Sequence, residues 1–137
     1  MTEMQESIDC DRLFVYGTLR RGFRLHRRLA RLGAVFCGEA MVAGELFDLG
    51  SFPGARPAEG EGKRVRGEVY QLSQPAQDLD VLDEVEGFNP RCAARSEFVR
   101  AIAEVTMRNG ESCRAWIYWL GPVLRPMRCI ASGDYAH

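Results

Sequence analysis

Glu86 is the residue whose spacing most clearly suggests chemistry. From Gln74 to Glu86 the apolar residues recur at helical intervals, with Pro75 near the start, where a missing N–H costs least, and Gly87 where the helix would stop. On an ideal helix of about 100° per residue, Leu79, Leu82 and Val85 form one stripe, and Glu86 falls inside it one turn beyond Leu82. Asp83 lies at the border of the stripe and Glu84 on the opposite face, so the periodicity predicts one inward carboxylate beside two solvated ones. An unpaired buried carboxylate is expensive, and one at the negative end of a helix is pushed toward its neutral form. That is how a general base is tuned to work near neutral pH. The same spacing also suits a structural carboxylate paired with one of the many arginines, and periodicity alone leaves both readings open.

A second feature is the Val15-Tyr16-Gly17-Thr18-Leu19 junction, where an apolar run ends in Gly-Thr with a helical segment close behind. Such a turn presents consecutive backbone N–H groups, a concavity suited to a carboxylate or a developing oxyanion. A glycine needed only for a tight strand exit has the same appearance. Other constellations fail. Gly60-Glu61-Gly62-Lys63 ends like a phosphate loop, but Pro57 stands for its first glycine and Arg64 for its hydroxyl residue. His26 and His137 are the only histidines, too few for a multi-histidine metal site and poorly placed for a nucleophilic triad, so no metal site is expected.

These residues must be positioned by a single domain. The chain has 137 residues, 46% hydrophobic and 27% charged, ordinary values that exclude disordered, collagen-like and membrane-spanning classes. A net charge of −1 gives no global field for nucleic acid or anionic lipid. The six arginines from 20 to 31 lack interleaved aromatics and read as a solvated helix face. Five cysteines without CxxC spacing, Cys10, Cys37, Cys92, Cys113 and Cys129, read as reduced thiols. With no apolar leader, the expected location is cytoplasmic, and no membrane or nucleic-acid partner is expected.

Residues 1–11 are expected to be a flexible tail and 12–137 one domain. Leu13 to Tyr16 reads as a buried strand and Arg24 to Leu32 as an amphipathic helix. Val35 to Leu49 reads as one bent strand or two, 50–62 as a loop, and Val65 to Leu72 as a strand. Phe98 to Met107 alternates, with Val99, Ala101, Ala103, Val105 and Met107 on one face, and Ser112 to Leu120 is aromatic and β-branched. Between them Asn109-Gly110 signals a hairpin. About six strands and two helices indicate an α+β fold, a curled or barrel-like sheet.

In order and spacing, VYGTLRRG at 15–22, GELFDLGSFPG at 44–54, GEVY at 67–70 and LDEVEGF at 82–88 resemble the γ-glutamylcyclotransferase-like, or AIG2-like, family. Phe98-Val99-Arg100 stands where that family has Tyr-x-Arg, and Ser132-Gly133-Asp134-Tyr135 resembles its closing segment, so the likeness runs over roughly 12–135. The resemblance implies a small mixed β-barrel flanked by helices and a cavity between the YGTL turn and the end of the LDEVEG helix. It implies cyclisation of a γ-glutamyl group to 5-oxoproline with release of an amine or amino acid, and no metal or organic cofactor. Glu86 matches the family's catalytic glutamate. Tyr16, Gly17, Thr18 and Leu19 would hold a small-molecule γ-glutamyl substrate, with Phe98 and Tyr118 on the same cavity. Phe98 departs from the family's tyrosine and removes a hydroxyl, for which Tyr118 or Tyr135 are the replacements to look for. The same departure keeps a second function in view, a catalytically silent small-molecule-binding or interaction module on the same barrel. The segment from Phe88 to Glu97, carrying Arg91 and Arg95, is expected on the leaving-group side.

Overall fold

A computed structural model describes residues 10–17, 19–20, 26–50, 52–58, 62–122 and 127–135. Thr18, the first residues of the expected Arg24–Leu32 helix, and residues 1–9 of the expected tail lie outside that set. The strands are β1 (Arg12–Val15), β2 (Val35–Asp48), β3 (Pro53–Pro57), β4 (Arg64–Gln71), β5 (Phe98–Met107), β6 (Ser112–Leu120) and β7 (Arg128–Cys129), and the helices α1 (His26–Arg31) and α2 (Pro75–Val85). A 3₁₀ segment, Pro90–Arg95, links α2 to β5.

Strands β2, β4, β1, β6 and β5 pair in that order, and β5 returns to β2 through Ala40–Met107 and Met41–Thr106, closing a five-stranded barrel. All pairings are antiparallel except β1–β6, which meet in parallel at Leu13–Trp116. Closure leaves no free edge among these five strands, which removes the template for aggregation that an open sheet would expose. The long β2 serves two sheets. Its first part pairs with β4, with a register shift between Phe36 and Gly38, and its last residues carry β3 and β7. The sheet is thus α+β and mixed in direction, as expected, and β2 is one bent strand rather than two.

Period-two alternation divides the strand side chains between two cores. Phe14, Val65, Val69, Val105, Ala115 and Ile117 point into the barrel. Leu13, Tyr70, Phe98, Trp116 and Leu120 point outward, where Leu79 and Leu82 of α2 and Leu29 of α1 cover them. Each helix therefore contributes one apolar stripe to the outer layer. On β5 the expected one-sided alternation is only half the arrangement: Val105 is sealed inside while Phe98 and Ile102 pack outside, because a barrel strand covered by a helix has two apolar environments.

Three expectations need correction. Pro53–Pro57 lies within the expected 50–62 loop but forms β3, its ladder to Gly44–Asp48 supplying the pairing that local composition does not signal. β7 adds a further short strand against Phe47 and Asp48. Cys10 and Asp11, assigned to the tail, are tied down: the Cys10 carbonyl accepts from Trp116 Nε1 at 2.9 Å and the Asp11 carbonyl from the Leu72 N–H at 2.7 Å. The hairpin at Asn109-Gly110 forms as expected, with Gly110 at φ 93°.

Candidate active site

The end of α2 is built by its sequence. Gly87, at φ 66°, lets the chain reverse, so that its N–H donates to the Glu84 carbonyl at 3.3 Å and the Phe88 N–H to the Asp83 carbonyl at 2.8 Å. This paired closure is the Schellman arrangement, and it leaves Glu86 as the cap residue, its own N–H donating to the Leu82 carbonyl at 2.9 Å. The helix thus ends at Val85, and Glu86 is held just past it by backbone bonds instead of fraying away.

Glu86 faces a cavity of about 230 Å³. Tyr16, Gly17 and Leu19 form one wall where β1 runs out, and Phe52 and Pro53 a second at the start of β3. Phe98, Tyr118 and Glu97 complete it opposite α2. The sequence candidates Glu86, Tyr16, Gly17, Leu19, Phe98 and Tyr118 are therefore brought together; Thr18 lies outside the described residues. Desolvation raises the Glu86 carboxyl from its ordinary value near 4.5 to about 7, with the nearby Glu97 charge adding to the effect.

Tyr16 and Tyr118 meet the cavity differently from what their hydroxyls suggest. Tyr16 Oη donates to the Tyr118 carbonyl at 2.6 Å and accepts from the Ala55 N–H at 3.1 Å, joining β1, β6 and β3 at one atom. Tyr118 Oη donates to Asp83 Oδ1 at 2.6 Å. Burial and neighbouring carboxylates push both phenols far above their ordinary range, so both stay neutral. Tyr118 thus does not replace the hydroxyl missing at Phe98. Phe98 itself packs against the Phe52 ring, with centroids 5.9 Å apart, and Tyr135, partly buried, packs against the barrel's inner cluster and is not among the cavity-lining residues.

Asp83 is a correction to the helical reading. The periodicity places it at the border among solvated residues, yet it is buried. Arg100 Nε donates to its Oδ1 at 2.8 Å and a terminal nitrogen to its Oδ2 at 3.1 Å, while the guanidinium lies 4.5 Å from the Trp116 ring centroid. A bidentate, partly buried pair of this kind holds a fixed geometry. It locks the last turn of α2, and hence Glu86, onto β5 and β6. The signal was present in the sequence, since Asp83 is four residues from Leu79, but only the partner strand's Arg100 makes its burial affordable.

The turn after β1 is closed by the Arg20 N–H on the Gly17 carbonyl at 3.1 Å. A Cβ on Gly17 would stand 2.8 Å from Pro53 Cγ, so glycine lets β3 close this side of the cavity. Arg20 is not part of a solvated arginine face: its guanidinium meets Asp134 at 2.9 Å with both side chains mostly buried. Gly133, at φ 71°, has no room for a side chain against the Arg64 carbonyl. The expected contribution of Arg91 and Arg95 is also corrected, because both are exposed and neither lines the cavity. Among the described residues of that connection only Glu97 does, a residue the spacing gave no reason to single out. Among the described residues no cluster of His, Cys, Asp or Glu is arranged to hold a metal ion, and no helix is long and apolar enough to cross a membrane.

The class defined here is a small closed five-stranded barrel with a desolvated carboxylate at the end of a covering helix. The family model for γ-glutamyl cyclotransferases, AIG2-like, matches residues 13–137, and the chain belongs to that family. It is 33% identical over 107 residues to the γ-L-glutamyl-butirosin B γ-glutamyl cyclotransferase of Niallia circulans, covering 77% of this chain and 64% of that enzyme. It is 32% identical over 124 residues to a candidate γ-glutamylcyclotransferase of Vibrio cholerae, covering 90% of this chain and 93% of the relative. Among solved structures, an AIG2-like protein from Mus musculus superimposes with a TM-score of 0.68 at 26% identity, covering 83% of this chain and 79% of the mouse chain.

Proposed function

We propose that this chain is a γ-glutamyl cyclotransferase acting on a γ-glutamyl amine or γ-glutamyl amino acid, with Glu86 as acid and base. The observation that carries the reading is the Glu86 carboxyl, held at the cavity by the helix cap and raised to about 7. The family relationship supplies the reaction type.

In this mechanism the substrate reacts with itself. Ionised Glu86 takes a proton from the α-ammonium, the freed amine attacks the γ-carbonyl carbon, and the carbonyl oxygen becomes an oxyanion. Collapse of that adduct breaks the bond to the leaving nitrogen, which receives its proton from Glu86. Across the reaction two protons pass from the α-nitrogen to the leaving nitrogen, so the enzyme ends unchanged. A carboxyl near 7 suits both halves of this relay better than an ordinary one, because it gives up its proton as readily as it takes one. The backbone of the 16–20 turn is the proposed cradle for the γ-glutamyl end. Holding both reacting groups in a small cavity supplies the near-attack geometry that ring closure exploits.

Phe98 favours a second reading, a binding module without turnover, since it leaves that wall of the cavity apolar. The two are separated by measuring 5-oxoproline release from γ-glutamyl amines, γ-glutamyl dipeptides and glutathione, with wild type beside Glu86→Gln. Product lost in the variant upholds the enzyme. No product from any substrate by a folded wild type favours the binder and makes Phe98→Tyr the next protein to assay.

A further inference from the structure

Phe52 and Phe98 build one face of the cavity from two separate elements. The Leu49 N–H donates to the Phe52 carbonyl at 3.0 Å where the chain enters β3, and the Gly50 N–H donates to Asp48 Oδ1 at 2.8 Å just before it. Phe98 opens β5 paired with Leu120, and the Gly121 N–H holds the carbonyl of the preceding residue at 2.8 Å. The two rings meet with centroids 5.9 Å apart at an interplanar angle of 54°. Leu49 and Leu120 belong to the same apolar cluster, so the face is backed by hydrocarbon.

Among the described residues that line the cavity, the side-chain polar groups are the phenols of Tyr16 and Tyr118 and the carboxyls of Glu86 and Glu97. Both phenolic protons are donated within the protein, to the Tyr118 carbonyl and to Asp83. No amide, guanidinium or aliphatic hydroxyl stands among these lining side chains to meet a polar leaving group. The γ-glutamyl end is assigned to the 16–20 turn, and Pro53 stands against that turn, 2.8 Å from where a Cβ on Gly17 would be. Glu86 has to reach both reacting nitrogens. What is attached to the leaving nitrogen is then left with the Phe52–Phe98 face.

Resting on the cyclotransferase reading, we propose that Phe52 and Phe98 are specificity-determining residues that form an apolar subsite for the leaving amine, and that the substrates are γ-glutamyl amides of uncharged alkyl amines. An alkyl chain buries its surface against the two rings and keeps water from Glu86. An ether oxygen at the same place loses its water and gains no partner from the rings.

The test uses γ-glutamyl amides of ethylamine, butylamine, methoxyethylamine and diaminopropane, the last three matched in length. kcat/KM is taken from 5-oxoproline release, and Kd from calorimetry in the Glu86→Gln background, where the amides persist. The butylamine amide should exceed the ethylamine amide by about tenfold, the scale of burying two further methylene groups. It should exceed the methoxyethylamine amide by at least about threefold and stand above the diaminopropane amide. Phe52→Ala should bring butylamine and ethylamine within about threefold, and Phe52→Leu should keep most of the preference. Phe98→Tyr, which brings a hydroxyl to the face, should bring butylamine and methoxyethylamine within about twofold.

A wild-type butylamine-to-ethylamine ratio near one overturns the proposal, as does a methoxyethylamine or diaminopropane amide that equals or exceeds the butylamine amide. A ratio that survives Phe52→Ala overturns it too. So does an equal loss for all four amides, which would place the ring on the γ-glutamyl end. Should Phe52→Ala not fold, Phe98→Tyr decides by the same ratios. If no amide yields 5-oxoproline, the cyclotransferase reading fails, while the order of Kd values still upholds or overturns apolar selection by this face.

Discussion

The inside and outside of the barrel wall are packed by different rules. Inside, Val65, Val69, Val105, Ala115 and Ile117 are fully sealed, and Tyr16 Oη sits among them with both of its bonds made. Outside, under α2, apolar side chains share the layer with Asp78, Asp83 and Ser96, all buried, and with the Glu86 carboxyl. The interior packs the strands against one another, and the seam between sheet and helix carries the buried polar groups and the carboxylate proposed as acid and base.

The largest effect should come from the seam. Glu86→Gln should lower kcat by at least about a hundredfold, the scale of a lost acid–base group, without lowering the melting temperature. Wild-type kcat/KM should rise with pH through an apparent value near 7, because the ionised carboxylate is the proton acceptor. The sign for stability is opposite. The unfolded chain releases this proton near 4.5 and the folded one near 7, so the fold loses up to about 3 kcal/mol across that window relative to Glu86→Gln. Thermal melts of both proteins at pH 5 and pH 8 check this, and a stability gap that does not widen with pH would contradict it.

The interior should respond in stability alone. Ile117→Ala deletes a fully buried side chain and should cost about 2–5 kcal/mol in urea unfolding, while kcat/KM of the folded fraction stays within about threefold of wild type. A loss of activity without a loss of stability would blur the contrast between the two regions.

Asp83→Asn should fall between them. It removes one partner of the Arg100 pair, which should cost about 2 kcal/mol and also reduce kcat, since the last turn of α2 loosens. Tyr118→Phe, losing one hydrogen bond to the same carboxylate, should cost about 1 kcal/mol. The smallest effect belongs to the outer surface. Arg108→Ala breaks an exposed pair with Glu39 and should change stability by less than about 0.5 kcal/mol.

Strand and helix positions were legible where one local rule dominated. Strands β5 and β6, the hairpin at Asn109-Gly110 and the Pro75-to-Gly87 limits of α2 follow from alternation, turn chemistry and capping. Glu86 was legible for the same reason, as a carboxylate inside an apolar stripe. Strand β3 was not, because Pro-Gly-Ala-Arg-Pro has no pattern of its own and becomes a strand only beside Gly44–Asp48. Asp83 was misplaced because helix geometry gives an angle and not a partner, and Arg100 is 17 residues away in sequence. Glu97 carried no periodic signal, since it precedes a strand and reaches the cavity through backbone bonds to Gly87 and Gly121.

By itself the sequence determined the elements that carry a pattern of their own, the family likeness and the candidate carboxylate Glu86, because these depend on neighbours within a helical turn or along a strand. The tertiary structure decided which polar groups bond across the barrel wall and which line the cavity. Tyr16, Tyr118 and Asp83 bond to one another's elements across the barrel wall, while Glu86 and Glu97 share the cavity. Burial and pairing are properties of elements brought together, so no reading of one segment could have made that division.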